Sequence, residues 1–526
     1  MNPAGQSLRL ARSRLGRRGV VLVIVLIVVA ALALAAYAFS DRMLAHSEAT
    51  QLSGRQIQAR MLVASGAAFA QSFLAQDATS RAEAGGVYDN PGRFQGVTVF
   101  DEGEDDSRGQ FSIIAPAFDS AGNISGLRAG LENESGRVNL NALVAIDQAA
   151  AKSGRQNAAR DLLMKLPGME LEIADAILDW IDTDSTPRDY GAEADYYASL
   201  NPPYAPKNGP LETVEELLLV RGVTPQLLFG ADVNRNGVID ANETSSASSG
   251  TASGSSATAA DRGWATLFTL HSKESNAAAT GEARINLNDT DLQKLSDSLS
   301  AYFTAEWVTF ILAYRLNGPY TQNEAGKAYQ GGQLDLTQTP KVKFTQVLDL
   351  IGKKVQVQFA GQREATILAP VFASDAAAMS TYLPELLDRV TVVPATVIPG
   401  RININQAPRE VLLGIPGLTE DIVDQIIQLR VPEPELQNPA QRHETWLLTQ
   451  GLVTLDQMRS LLPFVCTSGA VYRAQIVGYF VAGGAASRGE VVFDATQQPP
   501  RLLLWRDITH LGRGFTAETL ATTGSR

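Results

Sequence analysis

The chain has 526 residues, 45% hydrophobic and 19% charged, which supports two to four domains with real cores. Its formal net charge is −12; the first 19 residues hold five arginines (Arg9, Arg12, Arg14, Arg17, Arg18) and no acid, so without that +5 the body carries −17. A body this acidic repels a polyanion, which excludes generic nucleic-acid binding unless a local basic patch exists.

Residues 20–39 (VVLVIVLIVVAALALAAYAF) carry no charge. Twenty helical residues rise about 30 Å, the thickness of a bilayer core. Arginines before the run and Asp41 after it predict a cytoplasmic N-terminus and an exported body. Three readings fit: a plain single-span anchor, a secretory signal peptide, or a prepilin-type leader cut after Gly19 to make Val20 the new N-terminus. A signal peptide has a shorter apolar region and a small-residue cleavage site. Physics alone ranks the plain anchor first. The next stretch changes that ranking. From Asp41 to Gln76 there is no proline, and Ile57, Met61, Leu62, Val63, Phe69 and Leu74 predict a continuing amphipathic helix, weakened by Gly54 and Gly66. A long helix, half in the membrane and half on a globular head, is the pilin design.

Alternation predicts strands at 94–99, 110–115 and 124–131, then at 471–480, 490–493 and 501–507. The chain between reads mostly helical and contains a repeat. Arg137-Val138-Asn139-Leu140-Asn141 recurs as Arg284-Ile285-Asn286-Leu287-Asn288 and as Arg401-Ile402-Asn403-Ile404-Asn405. Leu166-Pro167-Gly168-Met169 and Ile415-Pro416-Gly417-Leu418 are hairpin turns, each followed by an apolar helix pattern. Apolar helices are then expected around 214–218 and 445–448, with Phe344, Val347, Leu348 and Ile351 as a degenerate middle counterpart. Residues 244–260 are a low-complexity serine-rich linker.

Helix–Pro-Gly–helix turns of this kind hold phosphates in DNA-repair proteins. That task needs nearby Lys or Arg. Here Glu170, Glu172 and Asp175 flank one turn, and Glu420, Asp421 and Asp424 the other, which favours a scaffold over DNA binding.

The segment Asp232-Val233-Asn234-Arg235-Asn236-Gly237-Val238-Ile239-Asp240-Ala241-Asn242-Glu243 fits the twelve-residue calcium loop. Oxygen side chains stand at positions 1, 3, 5, 9 and 12, Val238 offers its carbonyl, and glycine stands at position 6. The plainer alternative is a solvated acidic turn. The four histidines (His46, His271, His443, His510) share no metal-ligand spacing, and there is no Walker loop, dinucleotide glycine pattern, GxSxG or CxxC. Cys466, in an apolar run, reads as a buried structural thiol. The chain is therefore expected not to be an enzyme.

The basic leader, the long helix and the stretches Glu134-Ser135-Gly136-Arg137, Asp179-Trp180-Ile181-Asp182-Thr183-Asp184, Gly191-Ala192-Glu193-Ala194-Asp195-Tyr196-Tyr197 and Leu200-Asn201-Pro202-Pro203-Tyr204 resemble the K-type minor pseudopilins of bacterial type II secretion systems. Like them, the chain lacks the glutamate found five residues into most mature pilin helices; Ile24 stands there. The resemblance implies an α+β fold: a pilin-like helix, then a small antiparallel sheet interrupted by a large insertion of SAM-like, helix-hairpin-helix repeats. The domain bounds expected are a leader at 1–19, the helix at 20–76, a first β region at 77–136, and a first repeat with the calcium loop at 137–243. A linker at 244–262, a middle repeat at 263–400, a further repeat at 401–468 and a C-terminal β region at 469–526 complete the chain.

Further implications are processing by prepilin peptidase at Gly19 and Val20, methylation there, and a single-pass place in the inner membrane with a periplasmic body. Partners would be the I- and J-type minor pseudopilins, at a pseudopilus tip whose growth the complex initiates. The resemblance also implies Ca2+ in an acidic region matching Asp182, Asp184, Glu193 and Asp195. The rival reading is a membrane-anchored helix-hairpin-helix DNA-binding protein of a competence-like system.

Overall fold

Helix α1 (Arg18–Leu74) runs 57 residues without proline. The computed structural model describes residues 18–101, 103, 108–152, 154–240, 243, 259–433 and 438–521, so most of the expected leader and of the 244–262 linker lies outside the described residues. The chain divides into two compact units after Ala59. In the first, the large apolar side chains from Val20 to Phe39 are all at least half exposed. Among the described residues this is the one helix long and apolar enough to cross a membrane, with a mean hydropathy of 3.2 over its best window. Exposed apolar surface of that extent calls for a cover.

In the second unit, α1 buries Val63, Ala67, Ala70 and Leu74, spaced three and four apart on one helix face. They pack with Phe111, Ile113, Ile476, Val491 and Phe493. Gly66, which weakened the helix reading, has a packing reason. A Cβ there would lie 2.6 Å from Ile476 Cγ2, so glycine lets the helix approach the sheet.

That sheet has seven antiparallel strands: β1 (Val97–Phe100), β2 (Gly109–Phe118), β3 (Ile124–Ala129), β4 (Glu132–Asn133), β5 (Val471–Phe480), β6 (Ala486–Asp494) and β7 (Arg501–Asp507). The main order is β1-β2-β5-β6-β7, with β3 on β2 and β4 on β5. The first expected strand starts later than read, because Pro91 opens a short helix that runs to Phe94.

Residues 134–470 leave the sheet at β4 and return beside it at β5, where Tyr472 pairs with Asn133 and Arg473 with Glu132. The junction is ionic. Glu134 is fully buried, and Arg473 Nε donates to its carboxylate at 2.6 Å. Burial alone would raise the Glu134 carboxyl; the Arg473 and Arg137 guanidinium groups outweigh it and hold the group at about 2. Asn133 Nδ2 donates to the Gly469 carbonyl at 3.0 Å, which closes the seam.

The insertion is three units, each closed by a two-residue parallel bridge that starts on the repeated motif. Val138 pairs with Phe268, Ile285 with Val390, and Ile402 with Val465. Each unit carries a helix pair: Ala158–Leu163 with Leu171–Ile181, Leu292–Ser300 with Ala305–Asn317, and Arg409–Gly414 with Glu420–Leu429. The outer two pairs share an ion pair at equivalent positions, Arg160 with Asp175 and Arg409 with Asp424. In the first two units the last motif asparagine clamps a later segment. Asn141 accepts from the Leu211 amide and donates to the Leu211 carbonyl, and Asn288 does the same with Phe344.

The expected apolar helices at 214–218 and around Val347 are 3-10 turns, Val214–Leu219 and Val347–Leu350; the third is one α-helical turn, Trp446–Thr449. The middle unit also adds a small antiparallel sheet of Pro319–Tyr320, Lys354–Val357 and Thr366–Leu368. One continuous core runs through all three units. Cys466 is buried within it, and burial pushes its thiol well up from its ordinary value.

Glu134→Gln should cost about 3 kcal/mol in urea unfolding, because it leaves Arg473 partly uncompensated in the interior. The folded carboxyl sits below its ordinary value, so its contribution is complete above about pH 4.5 and is lost as pH falls towards 2. The wild-type chain should lose stability over that window more steeply than the variant.

Candidate calcium sites

The 232–243 loop lies within the first unit of the insertion, before the strand at Phe268–Thr269 that closes that unit beyond the expected bound of 243. Three short-range features fold it into a cup. Gly237 takes φ +86° and Arg235 φ +55°, turning the chain sharply. Asp232 accepts from the amides of Asn236 (3.1 Å) and Gly237 (2.9 Å). Glu243 reaches back to accept from the amides of Asn234 (3.1 Å) and Asp240 (2.9 Å), so positions 1 and 12 close on one another.

The electrostatics favour a cation. Asp232, Asn236 and Glu243 are buried. Burial, reinforced by the Glu243 charge, pushes the Asp232 carboxyl up to about 6. Among the described residues no lysine or arginine forms an ion pair with Asp232, Asp240 or Glu243. The loop thus offers three carboxylates, of which Asp232 and Glu243 are buried, together with amides and the Val238 carbonyl, an oxygen set suited to Ca2+. Among the described residues no three acidic, histidine or cysteine side chains yet converge as metal ligands. Here Asp240 Oδ2 accepts from the amide nitrogens of Asn234 (2.7 Å) and Asn236 (3.1 Å), where a cation would take amide oxygens.

A second acidic group lies on the loop after helix Leu171–Ile181. Arg188 Nη1 bridges Asp179 and Asp182, both at 2.6 Å. Asn208 Nδ2 donates to the Asp184 carbonyl (2.6 Å) and to Glu193 (3.3 Å). Asp182 Oδ1, Glu193 Oε1 and Asn208 Oδ1 are buried with no hydrogen-bond partner. Burial raises both the Asp182 and the Glu193 carboxyls. Three orphaned oxygens in one place fit a cation. Of the residues read from sequence, the structure brings together Asp182, Asp184 and Glu193. Asp195 is exposed, and no contact ties it to this group. Asn208 supplies the further oxygen; its one sequence signal is the turn-forming Asn208-Gly209 pair, with Asn208 at φ +45°. Gly19 and Val20 lie in the first turn of α1, with Val20 63% exposed.

The helical unit that holds both groups has known kin. Residues 136–229 match the family model of type II secretion system (T2SS) protein K, first domain. This stretch is similar to the first domain of that protein. Protein K of Aeromonas hydrophila is 43% identical over 58 residues, 11% of this chain and 18% of that relative's length. The match therefore spans less than a fifth of the curated relative. The crystal structure of the GspK-GspI-GspJ complex from the type 2 secretion system of enterotoxigenic Escherichia coli aligns over 87% of this chain and 98% of that one, at 12% identity and a TM-score of 0.35. So loose an overlay carries no argument. The matched stretch begins directly at the sheet seam, at Gly136, and ends at Phe229, three residues before Asp232, the first candidate ligand of the 232–243 loop.

Calorimetry of the full chain should give calcium binding with a dissociation constant of about 10⁻⁴–10⁻³ M, as in extracellular loops of this type. Glu243→Gln should weaken one binding step about tenfold or more and leave the other. Calcium at 100 times that constant should raise the unfolding free energy by about 2.7 kcal/mol.

Proposed function

We propose that the chain is a minor pseudopilin of a type II secretion system, with a structural and not a catalytic role. The observation that carries the reading is a combination within one chain. A 57-residue helix with an uncharged stretch at 20–39 packs residues 63–74 on an antiparallel sheet, and a stretch similar to protein K interrupts that sheet. The helix supplies a single-pass anchor in the inner membrane, with the body outside the cytoplasm.

Prepilin peptidase is the expected processing enzyme. It cuts after Gly19 and leaves Val20 as the methylated N-terminus. The subunit sits at the pseudopilus tip and initiates assembly with I- and J-type minor pseudopilins. Ile24 supports the tip position, since a buried carboxylate at that place would need a partner from a subunit above. The three-unit head is bulky, which suits a subunit with neighbours below it only. Calcium stiffens the head at the 232–243 loop, through Asp232, Asn234, Asn236, Val238, Asp240 and Glu243, and at the Asp182, Asp184, Glu193 and Asn208 group.

Intact mass of the membrane-extracted chain, expressed with and without a prepilin peptidase, tests this reading. The expected result is a chain that starts at Val20, with or without one methyl group, only when the peptidase is present. An uncut chain in both samples would overturn the pseudopilin assignment.

A further inference from the structure

We infer that the 232–243 loop is also the joint that fixes a C-terminal strap, residues 508–521, to the sheet, and that calcium in the loop holds this joint closed. The inference rests on the calcium reading above.

The loop has two faces built from different atoms. Its inner face carries the six candidate calcium ligands. Its outer face lies on the sheet. Arg488 of β6 is 1% exposed and donates from Nη1 to the Asn234 carbonyl (2.7 Å) and from Nη2 to the Arg235 carbonyl (2.7 Å). Gln475 of β5 also donates to the Arg235 carbonyl, at 3.0 Å. Neither carbonyl belongs to the calcium pattern, so metal and sheet do not compete for oxygen. Arg235 and Arg506 of β7 share Glu215, which ties the loop to a third strand.

The strap sits on the same arginine. The Phe515 ring stacks on the Arg488 guanidinium at 5.0 Å. A Cβ at Gly514 would collide with that guanidinium, so only glycine lets the strap lie this close. Beyond it, Phe515 and Leu520 close a small core with Ile114, Val477 and Tyr479. The Leu520 carbonyl accepts from Ser112 Oγ (2.8 Å) and Tyr479 OH (2.7 Å).

Asn236 joins the two faces. Its Nδ2 donates to the Gly514 carbonyl at 2.7 Å and to Asp240 Oδ2 at 3.1 Å, and its Oδ1, which accepts from the Val238 amide at 2.9 Å, is the position-5 oxygen of the calcium pattern. A cation on Oδ1 therefore fixes the amide that holds the strap. Without the cation, the buried Asp232 and Glu243 carboxylates repel one another across the loop. An opened loop withdraws two of the oxygen acceptors from buried Arg488. Among the described residues Arg488 has no ion pair to replace them, so its burial becomes costly. The strap resting on it then loosens.

The test is amide hydrogen exchange of the full chain in detergent micelles, with saturating calcium or with chelator. Chelation should speed exchange in 508–521 by about tenfold or more and leave β5 and β6 unchanged, which also controls for folding. Asn236→Asp keeps an oxygen ligand and removes the amide donor, so the strap should exchange fast even with calcium bound. Gly514→Ala touches no ligand; by reciprocity it should weaken calcium binding in calorimetry. Calcium binding without any change in strap exchange would overturn the coupling and leave the calcium reading intact. No binding in calorimetry would overturn both.

Discussion

A sheet interrupted by a long insertion must close where it opened, and here the closure is a buried ion pair. Glu134, the first residue after β4, meets Arg473 on the strand that receives the chain back. Two charges taken out of water are tolerated only with close geometry and further partners. Arg473 also bonds Glu490 on β6, and Arg137 forms a bidentate pair with Glu132 at 2.7 Å. The Glu-Ser-Gly-Arg stretch is therefore the seam between sheet and insertion. Gly136 belongs to it for room, since a Cβ would meet the Gln406 carbonyl at 3.1 Å.

The insertion repeats that solution on a smaller scale. Each unit begins on an Arg-x-Asn motif and closes by pairing it with a strand that returns after the helices. In the third unit Arg401 holds Glu274 and Glu444, two acids from different segments. The motif arginines thus anchor the units where they start, and in the first two units the last motif asparagine bonds backbone that arrives later. A continuous hydrophobic core joins the three units.

Much of this was legible in the sequence because the signals were long. A proline-free run gave α1, and strict alternation gave β5 and β7 with their ends. The repeated motif marked the three units, and fixed spacing marked the 232–243 turn whose carboxylates fold back on its own amides. What stayed hidden was short or came from distant residues. The closing strands 268–269, 390–391 and 465–466 are two residues each, too brief for any period to register. The turns at 214–219 and 347–350 have helical apolar spacing but only 3-10 length. Asn208 joins the acidic group from 15 residues beyond Glu193, and Arg488 reaches the calcium loop from 254 residues beyond Asn234. Asp195, which the family resemblance grouped with Asp182, Asp184 and Glu193, is exposed in the first turn of the helix Ala194–Ala198.

The central claim is that this head and anchor form one subunit of a pseudopilus tip. The direct measurement is affinity purification of the tagged full chain from membranes that also contain I- and J-type minor pseudopilins. The account predicts that both partners co-elute with it in a defined complex. Recovery of the chain alone, from membranes where the two partners still bind each other, would contradict it.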